Sequence, residues 1–452
     1  LSTAWATNSR VLLLCGQIPT TSYGRGNGAL HEIPDQSGIL RSLTKWHARA
    51  RSTEEIPRLV HEAMRQLRSG LPRPVALEIA PDLLSAAREA LLVSTPAAPA
   101  HAPLDPAAIA VIATALRDAR RPLIWAGGGA RGARATEAIL RLSRLVDAPV
   151  AMSINGLGAI PGDDERAVPP LAGRALAEEA DVVLVLGSRF MKLEQQVPVA
   201  AGARVILVDA DPEAFREPRR PWLSFLADVG VAAAGIADLL AQEDPVERRE
   251  APRRAASARA DADARLHALE PQRRLLDAIR RALPEDGIMV GEYTQISYAA
   301  PLFFRFPTPE SNITPGYQGT LGYGYATALG ASVGAPGRPV VSVNGDGGFG
   351  WNLSELATAR HHGIPTIAIV FDDGEYGNVA RDQKAMFAGR TAGTALTNPD
   401  FVALADAFGV SASRAETPDE LESAIRAAID AGGPALIHVP VGPFASPWPF
   451  LL

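Results

Sequence analysis

The stretch SVNGDGGFGWNLSELATARHHGIPTIAIVFDDGEYGNV, residues 342–379, decides the fold. Residues 340–343 form a mostly apolar run that ends in the glycine-rich turn Gly345-Asp346-Gly347-Gly348. Residues 366–371 (TIAIVF) are a second apolar run of strand length, and Asp372, Asp373 and Gly374 sit at its far end. Between the two runs, Asn352 as cap and Glu355 three residues later mark a helix start, and Gly363 and Pro365 stop that helix. A right-handed strand–helix–strand unit opens both strand ends on one edge of its sheet. Asp346 and the Asp372-Asp373 pair therefore converge beside a glycine-lined helix start. Acidic oxygens next to backbone N–H groups suit a hard divalent cation and the diphosphate it neutralises. A lone Gly-Asp-Gly would as readily be a turn with capping aspartates; the second strand and its paired acids tilt the reading to chemistry.

The same alternation runs outward through the chain. Strand-like runs are expected at residues 11–14 and 74–79, at 122–126, 182–186 and 205–208, and at 288–291, 340–343, 366–371 and 435–439. A helical run spans 54–68, and residues 1–7 read as a helix end. The Pro- and Ala-rich segment 94–106 and the charged segment 242–262 read as linkers. They divide the chain into α/β blocks at 1–93, 107–241 and 268–452, with parallel sheets covered on both faces. At 452 residues, two or three domains are expected. A net charge of −6 without a basic block gives no sign of nucleic acid or of a membrane surface, and no apolar run reaches the ~20 residues of a membrane span. Cys15 is the sole cysteine, which rules out a disulfide framework and a thiolate metal cluster. A cytoplasmic enzyme is the expectation.

The Gly-Asp-Gly, helix and acidic-pair spacing resembles the diphosphate-binding motif of thiamine-diphosphate enzymes. Other segments are similar to the acetolactate synthase and pyruvate oxidase group within that family: LLLCGQIP at 12–19, LTKW at 43–46, PVAMSINGLGAIP at 149–161, VILVDADP at 205–212 and GTLGYG at 319–324. The resemblance implies three doubly wound parallel-sheet α/β domains, pyrimidine-binding, central and diphosphate-binding, with the first one truncated. It implies thiamine diphosphate and Mg²⁺ as cofactors. Asp346 and Asp373 would supply side-chain metal ligands and Glu375 its backbone carbonyl. Gly319, Gly345, Gly347, Gly348, Phe349 and Tyr376 would line the cofactor, and Leu321 would support its bent shape. Asp372 departs from the family's usual Asn at the first position of the pair.

The resemblance further implies a homo-oligomer with the active site between subunits. Residues 26–36 (GNGALHEIPDQ) resemble the acetolactate synthase loop that faces the cofactor from the other subunit. His31 and Gln36 are the candidate substrate-side groups there, His31 as a proton shuttle or a carboxylate holder. Leu30-His31 stands where that enzyme has Phe-Gln, which argues against authentic acetolactate synthase. The family's activating Glu lies well before the GQIP segment and is expected upstream of Leu1; Glu32 and Glu54 do not sit in its context. His361-His362, at a helix end, reads as structural. Gly127-Gly128-Gly129 and Arg189 stand where the group's flavin enzymes hold FAD, which is weighed here and not favoured. The expected chemistry is decarboxylation and/or carboligation of a 2-oxo acid. The alternatives are C–C lyase action, hydrolysis of a diketone, flavin-linked oxidation, and a silent cofactor-binding homologue. A nicotinamide dehydrogenase lacks its GxGxxG pattern here.

Overall fold

The computed structural model describes residues 1–89, 91–94, 104–192, 194–243 and 250–451. The chain forms two compact units, Leu1–His101 with Pro315–Gly319, and Ala102–Thr314 with Thr320–Leu452. In the first unit, Val75–Ile79 lies between Leu12–Gly16 and Trp46–Arg49 in a three-stranded parallel sheet. Helix Ile56–Arg68 buries Leu59 and Ala63, and Leu59 joins Ala50, Leu77 and Ile79 in a small core. Short helix Ser2–Ala6 and the turn Gly316–Gln318 pack together.

The second unit holds two six-stranded parallel sheets. One runs Leu223–Leu226, Arg204–Asp209, Val182–Leu186, Pro122–Ala126, Val150–Met152, Ala167–Val168. The other runs Asn312–Ile313, Ile288–Gly291, Val340–Gly345, Thr366–Asp372, Ala435–Pro440, Ser411–Arg414. Every strand expected in these two regions forms, for a simple reason. A strand covered by helices on both faces must be apolar at every position, and all five residues of Val182–Leu186 have no exposed surface. The expectation did not include the short edge strands. Ser411–Arg414 carries two serines and an arginine and is half-exposed, so it lacks that signature.

Each large sheet has a central pair of neighbours where the strand order reverses, which is where parallel sheets place ligands; the second sheet turns back again at its edge, where Ser411–Arg414 lies outside Ala435–Pro440. In the first, the reversal lies between Pro122–Ala126 and Val182–Leu186. In the second it lies between Ile288–Gly291 and Val340–Gly345, so Glu292 and Asp346 follow the two strands that flank the crevice.

The expected linker at 242–262 needs correction. Residues 244–249 lie outside the described residues, but Ala251–Arg265 is a helix that packs against Pro170–Ala177. Its buried residues are Ala251, Ala255, Ala258 and Ala262, one stripe at helical spacing. Arg and Asp on the outer face hid that stripe by making the segment look like solvated linker. Asp147 anchors its start, accepting from Glu250 N at 2.7 Å and Ala251 N at 3.2 Å. The other expected linker falls largely on residues 95–103, outside the described residues. No helix among the described residues is long and apolar enough to cross a membrane.

Placing a charge on the buried stripe tests this packing. Ala255→Glu is expected to lower the unfolding free energy by about 2–3 kcal/mol in urea denaturation. Ala256→Glu, on the exposed face, is expected to change it by less than about 0.5 kcal/mol. A solvated linker would tolerate both equally.

Candidate active site

Gly345 ends its strand and Asp346 opens the one-turn helix Asp346–Phe349. The Asp346 carboxylate is 4 % exposed. Its Oδ2 accepts from Gly374 N at 3.0 Å and from Asn398 Nδ2 at 2.6 Å. The neighbouring strand delivers Asp372, whose Oδ1 accepts from the same two donors at 3.2 and 2.7 Å. The Oδ2 of Asp372 meets His438 Nε2 at 3.0 Å. His438 lies beside Val370 on the adjacent strand, one pleat back on the same face. The expected acidic convergence is therefore present, and its members differ electrostatically. Burial pushes the Asp346 carboxyl up to about 6, with the charges of Asp373 and Asp372 adding to it. Burial also raises Asp373, helped by Glu375 and Asp372. For Asp372, burial is outweighed by the hydrogen bonds from His438 and Asn398, and its pKa is lowered. The departure from Asn at this position thus comes with a buried imidazole partner 66 residues away.

The glycines beside Asp346 are set by close neighbours. A Cβ at Gly347 would lie 2.5 Å from Cε1 of Tyr376, and one at Gly348 would lie 2.3 Å from Oε1 of Glu292. Tyr376 N donates to Thr394 O at 2.8 Å, and Leu396 N donates to Gly374 O at 2.8 Å, which closes the 374–376 turn against 394–396. The Glu375 carbonyl accepts from Gly377 N at 2.8 Å and keeps its second lone pair. Phe349 is buried between Tyr325 and Phe401. Leu321 is 40 % exposed and so is not a core leucine. It precedes Gly322, in the left-handed region at φ 77°, and helix Tyr323–Gly334. Gly319 adopts the same region at φ 64°. Asn352 does not cap the next helix as expected. Its side chain donates to the Gly322 carbonyl, and the helix starts at Glu355 without a side-chain cap.

His31 and Gln36 belong to the first unit. His31 is exposed and held at φ 69°, a strained value for a residue with a Cβ. The Glu32 carboxylate braces this loop by accepting from Gly28 N at 2.8 Å and Ala29 N at 3.0 Å. Gln36 opens helix Gln36–Leu43, which Asp35 caps. Its amide nitrogen is committed to Gly16 O at 2.8 Å and Glu78 Oε2 at 3.1 Å. Glu78 is fully buried and also receives Gln17, Ser37 and His47.

Two family models match this chain: the thiamine pyrophosphate enzyme central domain over residues 109–236 and its C-terminal TPP-binding domain over residues 290–439. A probable 2-ketoarginine decarboxylase of Pseudomonas aeruginosa is 32 % identical, over 96 % of this chain and 79 % of its own length. The chain belongs to the thiamine pyrophosphate enzyme family. A probable acetolactate synthase large subunit of Methanocaldococcus jannaschii is 30 % identical over 98 % of this chain and 78 % of its own. Among solved structures, a Rhodococcus jostii thiamine diphosphate-dependent 4-hydroxybenzoylformate decarboxylase shares the fold, with a TM-score of 0.82 at 23 % identity. It covers 98 % of this chain and 84 % of its own.

The residues of this thiamine pyrophosphate enzyme fit the cofactor its family is named for. Asp346 and Asp373 are hard oxygen donors whose raised pKa values reflect negative charge gathered in a buried place. Among the described residues, no three His, Cys, Asp or Glu side chains group as a metal site. Two carboxylates and one backbone carbonyl are what the resemblance implies. The glycines at 127–129 have a plainer explanation. A Cβ at Gly127 would lie 2.2 Å from the Gly187 carbonyl oxygen, and Gly129 N donates to that oxygen at 2.9 Å. Gly127 and Gly129 thus allow a close approach of the 187–188 loop. Asn398, His438 and Glu292 escaped the sequence reading. Asn398 and His438 stand alone in their segments, while Glu292 had one faint signal, an acid directly after an apolar strand.

The Asp372–His438 pair is open to a double-mutant cycle. His438→Leu is expected to cost about 1–3 kcal/mol, because the half-buried Asp372 carboxylate loses one of its hydrogen-bond partners. Adding Asp372→Asn is expected to recover about 1 kcal/mol or more of that loss by urea denaturation. Strictly additive losses would show that the pair is not coupled.

Proposed function

We propose that this enzyme uses thiamine diphosphate and Mg²⁺ to decarboxylate a 2-oxo acid, releasing the product or passing it to a second carbonyl compound. The observation that carries this reading is the convergence of Asp346 and Asp373 at the level ends of two adjacent strands, the first of which flanks the crevice where the strand order reverses. Asp346, Asp373 and the Glu375 carbonyl would hold the metal, and Leu321 and the 345–349 turn would hold the cofactor. Thiamine diphosphate, when bound, supplies an electron sink for the pair left behind as CO₂ departs. Decarboxylation is favoured over acetolactate synthesis by the 32 % identical 2-ketoarginine decarboxylase and by Leu30-His31 in place of Phe-Gln.

His31 is proposed to meet the substrate carboxylate or move a proton, because its ring is exposed on a braced loop. Gln36, with its amide nitrogen committed to Gly16 and Glu78, is proposed to fix the end of that loop. A homo-oligomer belongs to the same reading.

A panel of 2-oxo acids, assayed for CO₂ release with thiamine diphosphate and Mg²⁺, is expected to give turnover for at least one member. Asp346→Asn is expected to lower that turnover by roughly a hundredfold or more. Turnover unaffected by omitting the cofactor would overturn the proposal. His31→Ala is expected to lower kcat by about a hundredfold while the cofactor Kd stays within about twofold. A changed Kd with normal kcat would assign His31 to binding instead.

A further inference from the structure

Glu292 follows strand Ile288–Gly291, on the opposite side of the crevice from Asp346. Its backbone N donates to Val343 O at 3.0 Å, and its side chain is turned inward, leaving the residue 2 % exposed. Oε1 accepts from Gly322 N, and the N–H groups of Tyr323 and Gly324 also stabilise the carboxylate. These are the first N–H groups of helix Tyr323–Gly334, and they directly follow Leu321. On its other side the carboxylate touches Gly348, where any Cβ would collide with it.

The second oxygen, Oε2, has no hydrogen-bond partner among the described residues, and neither has Oδ1 of the fully buried Asn344. Both atoms face Gly324, whose Cβ would lie 2.3 Å from Asn344 Oδ1 and 3.1 Å from Glu292 Oε2. Turning the Asn344 amide over does not resolve this. Its Nδ2 donates to Ser342 O and Ile369 O, both at 3.2 Å, and to Ser342 Oγ at 2.9 Å. Two of those three are carbonyl acceptors, so the nitrogen belongs on that side. Two buried acceptors beside one glycine are costly while neither has a donor, and a proton on the carboxyl would supply one.

We propose that Glu292 keeps its proton in the folded protein and is a positioning residue of the cofactor site. One oxygen accepts the N–H groups that follow Leu321, and the other, as O–H, donates to Asn344 immediately before Gly345-Asp346. This rests on the cofactor reading of Leu321 and Asp346, and it adds a residue that ties the two segments together. Burial acts in the same direction, raising the Glu292 carboxyl to about 7 against the three N–H groups that lower it. The Glu292 charge is a minor contributor to the raised pKa of Tyr298, after burial of that phenol. A carboxyl whose folded pKa lies above its ordinary value binds more protons folded than unfolded. Its stabilising contribution is complete below the ordinary range and is lost as pH rises through about 7.

The test uses wild type, Glu292→Gln and Glu292→Ala. Infrared spectra of folded wild type at pH 6 are expected to show a buried carboxylic-acid C=O band that Glu292→Gln lacks. Gln keeps both hydrogen bonds, with its amide N–H in place of the O–H. Its thiamine diphosphate Kd is therefore expected within about threefold of wild type, while Glu292→Ala weakens binding roughly tenfold or more. The fall in wild-type stability between about pH 5 and pH 7.5 is expected to flatten in Glu292→Gln. Absence of the band, or a Gln variant binding as weakly as Ala, would overturn the proposal. The band is read on wild type and the near-isosteric variant, so poor folding of Glu292→Ala leaves the test intact. Wild type that shows the band yet binds no thiamine diphosphate would instead overturn the proposed function.

Discussion

Burial of neighbouring carboxylates, Asp346 with Asp372 and Asp373 beside it, is the constraint around which this edge of the second unit's sheet is built. Adjacent parallel strands must end level for the first two to share Asn398 and the Gly374 N–H, and the register from Val340–Thr366 to Gly345–Phe371 makes them do so. The protein gives one member, Asp372, a hydrogen-bond partner of its own in His438. It leaves Asp346 and Asp373 with raised pKa values, a state that an added divalent cation would relieve. A structural ion cluster would have been closed with an Arg or Lys. The lysine in this neighbourhood, Lys384, instead pairs with Glu375 at 3.7 Å.

Glycine-rich turns follow strands in both large sheets, and packing separates their roles. At 127 and 129 the space is taken by the 187–188 loop, and at 128 by Asn155. At 347–348 it is taken by Tyr376 and Glu292, side chains that fix the position of the turn holding Asp346. The same glycine signal therefore records loop-to-loop closure in one sheet and a turn braced by side chains in the other.

Much of this was legible in the residues because burial on both faces forces continuous apolar strands, and those runs set the topology. The approach of Asp346 to the Asp372-Asp373 pair was legible because a crossover helix brings the ends of its two strands to one sheet edge. What escaped lacked a local pattern. The alanine stripe of Ala251–Arg265 carries little hydrophobicity per residue, so the charged outer face dominated its composition. Asn352 has the chemistry of a cap, but its side chain is drawn to the Gly322 carbonyl, a contact made 30 residues away. His438 and Glu292 act through strand register and side-chain direction, which only the assembled sheet defines.

Whether Asp346 and Asp373 bring a divalent cation and a diphosphate together decides the chemistry open to this enzyme. Isothermal titration of the metal-stripped protein with thiamine diphosphate, with and without Mg²⁺, measures this most directly. Binding that needs Mg²⁺ and is lost in Asp373→Asn is the predicted result. Equal binding in the presence of a chelator, or no binding under either condition, would contradict it.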